Sequence, residues 1–202
     1  MRKLQLLLAV ALALALTAWG MACAESEKKP TMIELMQMLS GAVQDMNARD
    51  RAGDTPIYQI DAERFVSEQD IEALLGVLEV RKALQQAQKM DEHIIEPDAD
   101  FAESFLVSEM LLRAEADALG MEDLDKSVKW YMKDGWLLSE PETPDASDTE
   151  ALIRQGWIRL QLTRMSLMSA QNMETPYEAS AGRINELVES LKLKYPSIQS
   201  GR

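Results

Sequence analysis

Along most of this chain apolar residues recur every three or four positions, the spacing that gathers them on one face of an α-helix. From about 32 to 49, Met32, Leu35, Met36, Leu39, Val43 and Met46 form such a stripe, and Thr31 with Glu34 makes a capping box at its start. The polar run from Arg49 to Pro56 ends it. Ser67-Glu-Gln-Asp70 opens a second helix, which carries Ile71, Leu74, Leu75, Leu78 and Leu84 to about Met90. A third, about 98–119, holds Phe101, Phe105, Leu106, Met110, Leu111 and Leu112 and stops at Gly120. A short fourth, about 122–133, contains Leu124, Val128, Trp130, Tyr131 and Met132 and closes at Gly135. A long fifth, about 149–172, turns Leu152, Ile153, Trp157, Leu160, Met165 and Met168 inward. The sixth starts at Pro176, with Glu178 in its first turn. It carries Tyr177, Ala181, Ile184, Leu187, Val188 and Leu191 ahead of a polar tail expected to fray after Pro196.

Alternation with a period of two is nearly absent, and only Ile57-Tyr-Gln-Ile60 reads as extended. Six helices and no significant sheet predict an all-α domain, either a bundle or a stack of helical hairpins. Residues 139–149 are acidic, contain two prolines and lack a large apolar side chain, so they read as a linker within it. Gly120 to Gly135 resembles the second helix of a tetratricopeptide-type repeat, but no second copy follows and nothing is carried over from it.

The first residues follow a different pattern. Met1-Arg2-Lys3 is positive, Leu4 to about Ala18 is apolar, and Ala22-Cys23-Ala24 is a run of small residues. That order is the signature of a secretory signal peptide. It predicts cleavage after Ala24, a periplasmic or secreted protein, and one domain over 25–202. Two other readings stay open. Cys23 is a candidate for lipidation, although Gly20 fits a lipobox poorly, and the apolar run is about long enough to remain as a membrane anchor. Cys23 is the only cysteine. A chain cut after Ala24 therefore has no disulfide, no thiolate nucleophile and no cysteine ligand for zinc.

Charge narrows the partners. The net charge is −13, and losing Arg2 and Lys3 takes it to −15. Such a surface repels nucleic acid and anionic headgroups, so neither is an expected partner, and the membrane enters only through the signal peptide or a lipid on Cys23. A basic protein or peptide is the partner that this charge suits.

Residues able to do chemistry are sparse. No phosphate loop, nucleophile elbow, metalloprotease motif or haem-attachment motif occurs, and no cofactor is expected. The single histidine, His93, stands three residues after Met90, a weak soft-metal pair for Cu(I) or Ag(I) that lacks further ligands. Asp98, Asp100 and Glu103 alternate like calcium ligands, as do Asp145, Asp148 and Glu150. Both sets are too few, and acids at a helix start already favour the helix dipole. A carboxylate-based enzyme acting on cell-envelope polymer would need a pair such as Glu103 and Glu115 to converge. Of the 13 methionines, Met38 and Met173 fall off the inward stripes and are candidates for an exposed soft patch.

Aromatic residues make the best-motivated site. Trp130, Tyr131 and Trp136 lie within seven residues, and Trp157 follows beyond the linker. Neighbours on a helix diverge by about 100°, so Trp130 and Tyr131 cannot both face one core. The expected function is thus non-catalytic binding or assembly outside the cytoplasm. A protein or peptide would be held by Trp130, Tyr131, Trp136 and Trp157, in a groove between the short helix and the helix containing Trp157. The carboxylate enzyme and the soft-metal protein are the alternatives.

Overall fold

The computed structural model describes residues 29–89, 96–134, 148–169 and 176–198. Contacts divide the chain into Met1–Thr31 and Met32–Arg202, and the fold set out below is that of the second unit. The predicted signal peptide, Met90, His93, Trp136, Met173 and all but the end of the 139–149 linker lie outside the described residues.

Among the described residues six α-helices form an all-α fold: α1 (Met32–Ala48), α2 (Glu68–Ala87), α3 (Ala99–Ala118), α4 (Leu124–Asp134), α5 (Thr149–Leu167) and α6 (Ala181–Lys194). Local chemistry explains their ends. Ser67 accepts a hydrogen bond from the Asp70 N–H (3.1 Å), and the Asp70 carboxylate accepts one from the Ser67 N–H (2.9 Å), completing a capping box. Asp98 and Asp148 cap α3 and α5 by accepting from the Asp100 and Ala151 N–H groups. At the end of α3, Gly120 adopts φ 71°, while the N–H groups of Gly120 and Met121 return to Asp117 and Ala116. This is a Schellman turn, which favours glycine at its left-handed position.

Packing is organised around α3. It touches α2, α5 and α6, and its fully buried Leu111 and Leu112 sit in a core with Ile153, Ile158 and Leu162 of α5 and Ile184 and Val188 of α6. Truncating either leucine to alanine would cost about 2–5 kcal/mol. Helix α2 is covered on two sides. Leu74 and Leu78 cluster with Ala102, Phe105 and Leu167, while Val77 and Leu84 cluster with Leu35 and Leu39 of α1. Arg81 and Gln85 of α2 are also fully buried, and desolvation lowers the Arg81 pKa from its ordinary value. Glu109 of α3 ties α3 to α5 by accepting from Gln161 Nε2 (2.7 Å) and Arg164 Nη1 (2.6 Å).

Three local expectations need correction, and a fourth holds but is incomplete: the segment read as extended is a strand, paired in a two-stranded antiparallel ribbon of β1 (Pro56–Gln59) and β2 (Phe65–Ser67). The turn between them is built by Asp61, whose carboxylate accepts from the Glu63 and Arg64 N–H groups (3.0 and 2.8 Å) and from Arg64 Nε (2.7 Å). The sixth helix does not begin at Pro176. Tyr177 is left-handed (φ 61°), a 3₁₀ turn spans Glu178–Ser180, and the α-helix starts at Ala181. The tail past Pro196 is held as far as Ile198, whose N–H donates to the Gln59 carbonyl (2.8 Å), and Ser197 Oγ accepts from the Gln59 N–H (3.1 Å). Finally, Met36 is not inward; it is 48% exposed, close to the 51% of Met38.

The two ends of the fold are clasped by ion pairs. Arg49 bonds to Asp54 (2.6 Å) and Asp70, and Arg51 to Asp70 (2.7 Å), pinning the segment after α1 to the α2 cap. Buried Glu115 on α3 receives Lys194 Nζ (2.7 and 2.6 Å) and the Tyr195 hydroxyl (2.7 Å), and Tyr58 of β1 donates to the Tyr195 carbonyl (2.8 Å).

Candidate functional site

A groove of about 680 Å³ runs between α4 and α5, within the ~300–1,000 Å³ typical of ligand sites. Asp123, Lys126, Ser127 and Trp130 supply one wall. Their i, i+3, i+4, i+7 spacing places them along one face of α4 and the turn before it. The other wall is the α5 face of Asp148, Glu150, Ala151, Arg154, Gln155 and Ile158, and Tyr177 contributes from the turn ahead of α6.

The side chains differ in how firmly they are held. Arg154 donates to Asp123 Oδ1 from both terminal nitrogens (3.2 Å each) and to Ser127 Oγ, a clamp joining the two walls. Asp148 is occupied as the α5 cap, accepting from the Ala151 N–H at 3.0 Å. Tyr177 is buried and meets the half-buried Tyr131 ring at 5.6 Å with a 48° tilt. Arg159 fixes the left-handed turn by donating to the Tyr177 carbonyl and to Glu178, both at 3.4 Å. Trp130, by contrast, is 52% exposed at the groove. Gln155 is 6% exposed, and its Oε1 has no hydrogen-bond partner among the described residues.

Of the four aromatic residues singled out from the sequence, the three that are described separate. Trp130 faces the groove, and Tyr131, its neighbour, turns inward and buttresses Tyr177. Trp157 is on α5 but about 100° round the helix from Ile158. It is 6% exposed, donates its indole N–H to Asp125 (3.1 Å) and lies under the Arg113 guanidinium, 5.8 Å from the ring centre. It belongs to the core and to the base of a different cleft of about 330 Å³, shared with Arg51, Arg64, Phe65 and Arg113. The guanidinium groups of that cleft are each engaged by carboxylates: Arg51 by Asp70, Arg64 by Asp61, Arg113 by Asp117 and Asp125.

Tyr177, Gln155 and Arg154 went unnoticed in the sequence. Tyr177 reads as an ordinary inward residue, and the polar pair sits in a helix whose apolar stripe draws attention elsewhere. A third cleft, about 310 Å³, is lined by Met36, Leu39 and Val43 of α1 with Met168. Glu103 and Glu115 do not converge. Twelve residues of one helix set them about 18 Å apart along its axis, Glu103 is exposed, and Glu115 is buried in its ion pair. Asp98 and Asp148 act as helix caps, and among the described residues no group of three or more His, Cys, Asp or Glu side chains is placed to hold a metal ion. No described helix is long and apolar enough to cross a membrane. Comparison of the chain with protein-family models, curated proteins and solved structures gave no match.

Proposed function

We propose that the protein is a non-catalytic binding module that captures a segment of a protein or peptide in the α4–α5 groove. The segment presents an apolar side chain next to basic ones. In this reading residues 1–24 direct export, and the module works outside the cytoplasm. The observation that carries it is Trp130, half-exposed at a groove whose acids, Asp123, Asp148 and Glu150, outnumber its bases. An indole in water is a poor use of apolar surface for a monomer, but a good contact for a partner, because it adds large rigid area at little entropic cost. The net charge of −13 favours a basic partner and speeds its encounter. The catalytic alternative draws no support from the separated Glu103 and Glu115.

The test is selection from a random peptide library on the immobilised protein, in parallel with Trp130→Ala. The expected outcome is enrichment of sequences with a basic residue beside an apolar one, weakened at least tenfold by the substitution, the usual effect of truncating a hot spot. Equal enrichment on both proteins would refute the reading. So would an indole N–H resonance of Trp130 that shifts with protein concentration alone, because the occupant would then be a second copy of the chain.

A further inference from the structure

We infer that the side chain this groove reads is lysine, recognised at its ammonium by Gln155. The inference rests on the groove reading above and names what enters. Gln155 lines the groove, is more than nine-tenths buried, and holds a carbonyl oxygen that accepts no hydrogen bond among the described residues. A buried acceptor left unmet is costly, so a donor arriving from the groove gains more there than it would at the surface. The terminal torsion of glutamine is soft, which lets the carbonyl turn to meet that donor.

The surroundings select the kind of donor. Ala151, Ile158, Trp130 and the Tyr177 ring share the lining with Gln155, and they offer apolar contact to a slim stem. Lysine has that form: four methylenes that accept apolar cover, ending in a compact group with three donors and no acceptor. Aromatic faces and the rim carboxylate of Glu150 favour the positive charge. Arg154 adds little repulsion because Asp123 already neutralises it. Arginine fits less well. Its planar fork is matched by two acceptors side by side, and Gln155 offers one.

The experiment is an NMR titration of the ¹⁵N-labelled protein with capped pentapeptides that differ only in the central residue: lysine, norleucine or arginine. Norleucine keeps the apolar stem and the peptide backbone but has no ammonium. The lysine peptide should bind about tenfold more tightly than the norleucine peptide, the step expected for one charged hydrogen bond in a shielded site. In Gln155→Met that preference should fall to near one. The variant should keep its Tm within a few degrees, because it removes a buried carbonyl oxygen that accepts no hydrogen bond among the described residues. Equal binding of lysine and norleucine, or a preference that survives Gln155→Met, overturns the lysine inference. The groove reading then still stands if Trp130→Ala weakens both peptides. Peptides that all leave the Trp130 and Gln155 side-chain resonances unmoved overturn both.

Discussion

Gly156 offers a sharp test of how the helices pack. It lies on α5 where that helix meets α3 and α6, and a Cβ added there would stand 3.0 Å from Leu112 Cδ1 and 3.1 Å from Ile184 Cγ2. Carbon atoms prefer about 3.5–4.0 Å. Leu112 is fully buried and Ile184 nearly so, both within the main core, so neither has free space to retreat into. Overpacking of this kind costs about 1–3 kcal/mol. Alanine in place of glycine inside a helix returns about 1 kcal/mol. The net expectation for Gly156→Ala is a loss of about 0–2 kcal/mol. Gly76 of α2 supplies the control, because a Cβ there meets nothing within 4 Å and Gly76→Ala should gain about 0.5–1 kcal/mol. The two variants should differ by about 1–3 kcal/mol, read as urea midpoints at constant m-value. In a chain of this size that is a Tm gap of several degrees, since each kcal/mol moves Tm by about 2–4 °C. A Gly156→Ala protein as stable as Gly76→Ala would show that α5 does not approach α3 and α6 this closely.

Three further outcomes are expected. Trp157→Ala should lose about 3–5 kcal/mol as a buried aromatic, whereas half-exposed Trp130→Ala should lose about 1–2 kcal/mol; thermal unfolding of the pair checks this, and equal losses would count against the assigned faces of α4 and α5. Burial alone would disfavour the Asp70 carboxylate, but hydrogen bonds from Ser67 and Arg49 and the charge of Arg51 outweigh it and hold its pKa below the ordinary value. Its contribution to stability is thus present above about pH 4 and is lost as pH falls through the lower folded value, so urea midpoints should drop more steeply with acid in the parent than in Asp70→Asn. Burial raises the pKa of Tyr195, helped by Glu115, and burial also raises that of Tyr58. The stability they add is present below about pH 10 and lost as pH rises through the folded values; tyrosinate absorbance should show a late-titrating component that shrinks in Tyr58→Phe and in Tyr195→Phe, and a component unchanged in both variants would refute the clasp.

What was legible in the sequence was whatever short-range interactions decide. Stripes at three- and four-residue spacing define helices because 3.6 residues complete a turn, and Ser67, Asp98, Asp148 and Gly120 mark helix ends through bonds to backbone groups within a few positions. The adjacency of Trp130 and Tyr131 alone required that one of them face away from the core. Which one faces away was decided by the docking of α4 on α5 and by the Tyr177 ring arriving from a turn 46 residues later. Trp157 looked like a partner of Trp130 because the sequence does not tell how α5 is rotated. The rotation follows from the tight seat of Gly156 and from the bond of Trp157 to Asp125, 32 residues away. The ribbon, the left-handed Tyr177 and the anchored tail escaped notice for the same reason. Asp61 builds a turn that periodicity does not register, and Glu115 meets Lys194 across 79 residues, a contact that exists only after α3 and α6 have packed. Helices were set by neighbours along the chain; the groove was set by neighbours in space, and only the tertiary structure brings those together.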